Sequence, residues 1–273
     1  MKNFWAFENR YTITAILRSR TALSIGSRGS LMPVGSDLPV IKTPDGMPFI
    51  PGSSLKGVLR AYTERLLRSL GSAGKRIHGE ILSACDPLDD NNRCITAQAK
   101  EEILRRVGRD GHFDEAFTQQ LWQKSCTACR LFGSQWLASR VSFQDALLRN
   151  RDSLPRLTEI RDGVGIDRDL GSAKPNIKFD FETVPPGAEF ELRIVLENAE
   201  TWEVALVLTG LETLGNGNLA IGGKTTRGLG WMEVDQLRIE RVRAEDVLTL
   251  LTGQPGTLLT VDELRQALVA NIE

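Results

Sequence analysis

At Pro51 the chain changes period, and that change limits what the segments around it can become. Before it, residues 39–41 and 47–50 are short apolar runs flanking TPDG at 43–46, a Pro-Asp-Gly turn able to hold two short strands together. After it, Leu55, Val58, Leu59, Tyr62, Leu66 and Leu70 recur at helical spacing, which predicts a helix over 53–70 with one buried face. Ser53 or Ser54 is the expected N-cap, its hydroxyl accepting a first-turn N–H. Open N–H groups, two serines and Lys56 one turn in suit that helix start to a phosphate, with Arg60 a turn further on. Asp37 stands alone just upstream, in a loop.

The flanking segments extend the alternation of strand and helix. Residues 11–19 predict a strand with Tyr11, Ile13, Ala15 and Leu17 on one face. A glycine-spaced loop carrying Arg28 follows, suited to close approach of a ligand backbone. Residues 75–130 read as an insertion poor in strand signals, with helices at 96–107 and 114–124. Residues 140–148 return to the core as a strand. Residues 163–178 predict a projecting loop or hairpin, closed by a turn at Pro185, Pro186 and Gly187. Strong alternation predicts a strand over 189–197, and an apolar run predicts a helix over 201–214 ending at Gly215 and Gly217. A glycine-rich loop, a strand over 229–239 and helices at 243–251 and 260–271 complete an α+β chain with helices on one face of a sheet.

Composition narrows the function classes. The 273 residues are 41% hydrophobic and 25% charged, with a net charge of −1, so no overall basic field advertises nucleic acid. Local grooves carry such binding, and the class stays open. Since no apolar run approaches a membrane span and the first residues are no signal peptide, a cytoplasmic protein without membrane contact is expected.

All four cysteines fall inside the insertion. CTAC at 126–129 has the spacing with which two thiolates bind one tetrahedral zinc, and Cys85 and Cys94 complete a set with Cys126 and Cys129. His78 or His112 in place of one cysteine is an open alternative, as are four unrelated buried thiols. NLAIGGKT at 218–225 has the look of a nucleotide-binding P-loop, but a helix precedes it and a strand follows, the reverse of what that loop requires. Its Gly222, Gly223, Lys224, Thr225 and Arg227 offer backbone N–H groups and cations to a phosphodiester chain instead, against the plainer reading of a tight turn with solvated charges. Asp37 is the one sharp candidate for chemistry: lone acids serve phosphoryl-transfer nucleases by holding a divalent metal or a water beside the scissile phosphate. Taken in isolation, a single loop aspartate is more often a turn or surface residue.

Three stretches in order, VGSDLPVI (34–41), PGSSLKG (51–57) and GGKTTRGLG (222–230), resemble the backbone subunit of type III CRISPR effector complexes, in the RAMP superfamily. CTACRLFG (126–133) is similar to the zinc-site sequence of that family, and residues 160–187 resemble its thumb. The resemblance spans residues 11–235 and implies one RAMP domain over 1–273, a modified RRM (ferredoxin-like) α+β fold with a zinc-bearing insertion at 75–130 and a β-hairpin thumb at 160–187. It implies stacking of copies of this chain, or of related subunits, along a CRISPR RNA within an antiviral ribonucleoprotein. It further implies that Asp37 cleaves guide-paired single-stranded target RNA with Mg²⁺ or Mn²⁺, while Ser53, Ser54, Lys56 and the glycine-rich loop hold guide phosphates. Arg28 and Arg60 join them as candidate RNA-binding cations. A non-catalytic, purely structural RNA-binding subunit is the alternative.

Overall fold

In the computed structural model, which describes residues 4–26, 36–107 and 113–273, strand β1 (Asn9–Ser19) sits at the centre of the main sheet. Tyr11, Ile13, Ala15 and Leu17 point into the core as their alternation demands, all at most 5% exposed. The chain then forms β2 (Phe49–Ile50), helix α1 (Gly52–Ser72), a small hairpin of β3 (Arg76–Ile77) and β4 (Glu80–Ile81), and helices α2 (Ala97–Val107), α3 (Phe113–Lys124) and α4 (Thr127–Phe132). Short strands β5 (Val141–Phe143) and β6 (Ala146–Leu147) follow, then the hairpin of β7 (Glu159–Ile166) and β8 (Ala173–Thr183), strand β9 (Glu189–Glu197) and helix α5 (Thr201–Gly215). Strand β10 (Met232–Arg243), helix α6 (Val247–Leu251), strand β11 (Thr257–Leu259) and helix α7 (Val261–Asn271) end the chain.

The main sheet runs β11-β10-β1-β9-β5 and every pairing in it is antiparallel. Stripped of insertions, β1-α1-β5-β9-α5-β10 is the β-α-β-β-α-β order of a ferredoxin-like (RRM) fold, with β11 added at one edge. Ile13 pairs with Ile239 on one side and Ile194 on the other, placing three branched side chains in one row over the core. Helices α1 and α5 cover that face. The two helices approach closely at Gly210, where a Cβ would lie 3.0 Å from Leu59 Cδ2 of α1.

Two excursions leave this frame. Between α1 and β5 lie β3, β4, α2, α3, α4 and all four cysteines. A buried ion pair anchors this segment: Arg140 Nη1 lies 2.8 Å from Glu203 Oε2 of α5, and its guanidinium stacks 4.1 Å above the Trp122 ring of α3. Glu273, the last residue, exchanges backbone hydrogen bonds with Arg76 at 2.9 and 3.3 Å, so the C-terminus extends the small hairpin. The second excursion is the β7–β8 hairpin, whose exposed Ile160, Val164, Ile166 and Leu170 contrast with the buried Phe181 and Thr183 at its base.

Several expectations are corrected. Helix α1 starts at Gly52, with Pro51 in the N-cap position and no side-chain cap, so neither Ser53 nor Ser54 caps it. The Gly52 N–H donates instead to Asp145 Oδ1 at 2.7 Å. The expected strand at 140–148 is split: Val141–Phe143 forms β5, and the chain resumes after Asp145 as β6, paired with β2. Strand β11 lies within what read as a loop between two helices, and exists by pairing with residues 239–241 of β10.

Candidate nucleic-acid interface and cysteine cluster

The four thiols converge from two short segments. Cys126 is the N-cap of α4, its sulfur accepting the Cys129 N–H at 3.4 Å and the Cys85 N–H at 3.4 Å. Sulfur separations are 3.5 Å for Cys85–Cys94, 3.5 Å for Cys85–Cys129 and 3.9 Å for Cys94–Cys126, and all four ligand atoms lie within 4.8 Å of one another. A tetrahedral zinc with Zn–S bonds of about 2.3 Å spaces its sulfurs about 3.8 Å apart, so the donor set fits a closed structural site. Hydrogen bonds from Cys129 and Cys94 push the Cys126 thiol strongly down in pKa. The partner thiols move the other way: the contact with Cys126 raises Cys129 and pushes Cys94 up to about 11. His78 does not join them; its Nε2 lies 2.9 Å from Glu200 Oε2. His112 falls outside the described residues, as does Arg28.

At the start of α1 the polar groups face inward more than the sequence suggests. Asp145 already places a carboxylate against the helix N-terminus, where the helix dipole favours negative charge. Lys56 Nζ donates to Ser139 Oγ at 3.0 Å, and its burial lowers its pKa. Arg60 donates to Glu64 Oε1 at 2.7 Å and to the Gly133 carbonyl at 3.1 Å, with its Nη2 3.7 Å from Cys129 Sγ. These two cations therefore link α1 to the cysteine-bearing segment. Ser53 is exposed and Ser54 half-buried.

The glycine-rich loop meets the base of the hairpin. Its ends are pinned by Gly223 N–H to Ser24 O at 2.7 Å and Gly230 N–H to Ala22 O at 2.9 Å. Between them Lys224 adopts a left-handed conformation (φ 59°), and Thr225–Arg227 form a single tight turn. Lys224 Nζ sits 4.4 Å over the Phe181 ring of β8, and Phe181 packs with Ala22 and Leu229. Gly222, Gly223 and Arg227 are exposed, whereas Thr225 is half-buried.

Asp37 lies at the same junction. Residues 36–42 run beside β8, with Leu38 bridged in parallel to Phe181 and the Glu182 N–H bonded to Leu38 O at 3.0 Å. Asp37 is exposed, and among the described residues its carboxylate meets one donor, the Asp180 N–H at 3.2 Å from Oδ2. In return Asp180 Oδ1 accepts the Asp37 N–H at 2.8 Å and the Ser36 hydroxyl at 3.0 Å. One rung along, Glu182 accepts the Val40 N–H at 3.0 Å and Lys42 Nζ at 2.5 Å. Burial alone would raise the Glu182 pKa, but Lys42, Thr158 and the Val40 N–H together hold it below the usual value.

The structure thus gathers Asp37, Lys224 and the glycine loop around one strand of the hairpin, and places Lys56 and Arg60 apart from them, against the cysteine segment. Sequence reasoning missed Asp145, Asp180 and Glu182. The last two carried a signal, since acids two apart in a strand share a face.

A family model described as RAMP superfamily matches residues 16–233. A protein of Methanothermobacter thermautotrophicus named CRISPR system Cms endoribonuclease Csm3 is 27% identical over 246 residues, covering 85% of this chain and 86% of that protein. The identically named protein of Streptococcus thermophilus is 28% identical over 253 residues, covering 87% of this chain and 93% of its own length. That of Mycobacterium tuberculosis is 27% identical over 194 residues, 68% of this chain and 63% of its own.

Proposed function

Because the chain belongs to the RAMP superfamily, we propose that it is a backbone subunit of a type III CRISPR effector complex that binds CRISPR RNA and cleaves guide-paired target RNA at Asp37. Relatives named as CRISPR endoribonucleases align along most of this chain, which supports the nuclease class. The carrying observation is the place of Asp37: an exposed carboxylate at the foot of the β7–β8 hairpin, hydrogen-bonded to the same strand over which the glycine-rich loop's Lys224 packs. In this reading the hairpin is the thumb, copies or related subunits stack along the guide, and the assembly works in the cytoplasm. Among the described residues no helix is long and apolar enough to cross a membrane.

Each part has a physical role. Backbone N–H groups and cations of the glycine loop, with Ser53 at the start of α1, bind guide phosphates. An exposed carboxylate oxygen is the donor type that Mg²⁺ and Mn²⁺ take, so Asp37 fits a divalent ion. Such an ion, when bound, polarises the scissile phosphate and activates a water. Asp37 fixes where that chemistry happens. Cys85, Cys94, Cys126 and Cys129 hold a structural zinc remote from it.

Replacing Asp37 with alanine is the test. Guide and target affinity stay at the wild-type level, and cleavage falls by on the order of 10²-fold or more, as for loss of a group acting on the reacting centre. Wild-type cleavage of target RNA by the variant, restored by Mg²⁺ after EDTA, overturns the catalytic assignment and leaves the structural RNA-binding subunit standing.

A further inference from the structure

We propose that Asp180 is a positioning residue for Asp37, with Glu182 as the second anchor of the same loop; the inference rests on the catalytic reading of Asp37. Apolar packing holds only one end of residues 36–42: Val40 is buried and Ile41 packs against the core, whereas Asp37 and Leu38 are exposed. A row of hydrogen bonds to β8 holds the exposed end. Asp180 Oδ1 takes the Ser36 hydroxyl and the Asp37 N–H, and the Asp180 N–H returns a bond to Asp37 Oδ2. The Asp180 side chain thereby sets the backbone at residue 37, and its amide sets the carboxylate of that residue. Glu182 repeats the arrangement on Val40 and Lys42.

Oδ1 of Asp180 is occupied by two donors, so positioning demands an acceptor oxygen there rather than a charge. Asparagine supplies that acceptor in the same place; alanine does not. Positioning within about 0.5 Å governs how well a group acts on a bound phosphate, so loosening the loop slows the chemical step without weakening RNA binding. The hairpin strand is therefore a mechanical part of the cleavage site, and a displacement of β8 is transmitted to Asp37 through these bonds.

Single-turnover cleavage by the complex assembled with its guide RNA tests this, with Asp180→Ala, Asp180→Asn and Asp37→Ala compared. Asp180→Ala is expected to slow cleavage at least tenfold at unchanged target affinity, and Asp180→Asn to stay within about threefold of wild type. Amide hydrogen exchange gives a readout independent of activity: protection of the Asp37 amide, which Asp180 accepts, is lost in Asp180→Ala and kept in Asp180→Asn, while protection in β9 and α5 is unchanged. Wild-type rate and protection in Asp180→Ala overturns the proposal. Asp180→Asn as slow as Asp180→Ala, with a raised Mg²⁺ requirement, also overturns it and makes Asp180 a metal ligand. Full cleavage by Asp37→Ala alongside the expected exchange pattern fails the catalytic reading alone, since the loop would still be held by Asp180.

Discussion

Gly228 and Gly230 have nearly the same backbone, with φ of 89° and 81°, yet they tolerate a side chain very differently. A Cβ on Gly228 meets nothing within 4 Å, whereas one on Gly230 would fall 2.0 Å from the Ile221 carbonyl oxygen. Alanine at 228 costs only the left-handed conformation, about 1–2 kcal/mol. Alanine at 230 adds a clash with backbone that also carries the Ile221 N–H to Gly230 O bond. Chemical denaturation is expected to place Gly230→Ala below Gly228→Ala by a further 1 kcal/mol or more, about a fivefold shift in the folded-to-unfolded ratio. Equal losses would mean that the loop re-forms around the new methyl group, and that its geometry does not require glycine there.

The cysteine-bearing segment illustrates how an element is held when its own core is small. Its independent apolar cluster centres on Ile95, Ile103 and Leu121, while Cys126 and Cys129 pack instead with Leu67, Trp202 and Leu206 of the main body. Four thiols within 4.8 Å supply the missing staple once deprotonated around a metal. The expectation is about one zinc per chain by elemental analysis, lost in Cys126→Ser, with protease sensitivity rising in α2 and α3 and not in the five-stranded sheet. A metal-free protein with a resistant insertion would refute the site. Much of this level was legible in the sequence. Residues 189–197 form β9 with the expected bounds because both faces of that strand declare themselves, and the apolar run of α5 admits no other reading. What escaped was set by partners far along the chain. The N-terminus of α1 is satisfied by Asp145, and β11 is a strand only because β10 lies beside it. Neither dependence leaves a local mark.

At the scale of the molecule, several cations of the sheet are paired with carboxylates. On the sheet, Arg10 pairs with Glu197, Arg18 with Glu189, Arg20 with Glu233 and Arg238 with Glu240, which accords with a net charge of −1. Lys56 and Arg60 are turned toward Ser139 and Glu64. In the proposed function, phosphate binding falls to loops drawn together from distant parts of the sequence, the glycine-rich loop above all. It was visible as a motif, but its junction with Asp37 was not, because β8 makes that junction through tertiary contacts alone. If that loop holds the guide, part of the salt dependence rests on Lys224 and Arg227. Each cation lost from a single-strand contact reduces the slope of log K against log salt by about 0.7, so Lys224→Ala with Arg227→Ala should flatten it by about 1.4 and weaken guide binding. Arg227→Ala alone should give half the change and leaves the Lys224–Phe181 contact in place, which separates lost phosphate contacts from a disturbed loop. Guide affinity measured across a salt series decides: an unaltered slope in the double variant would return this loop to a tight turn with solvated charges.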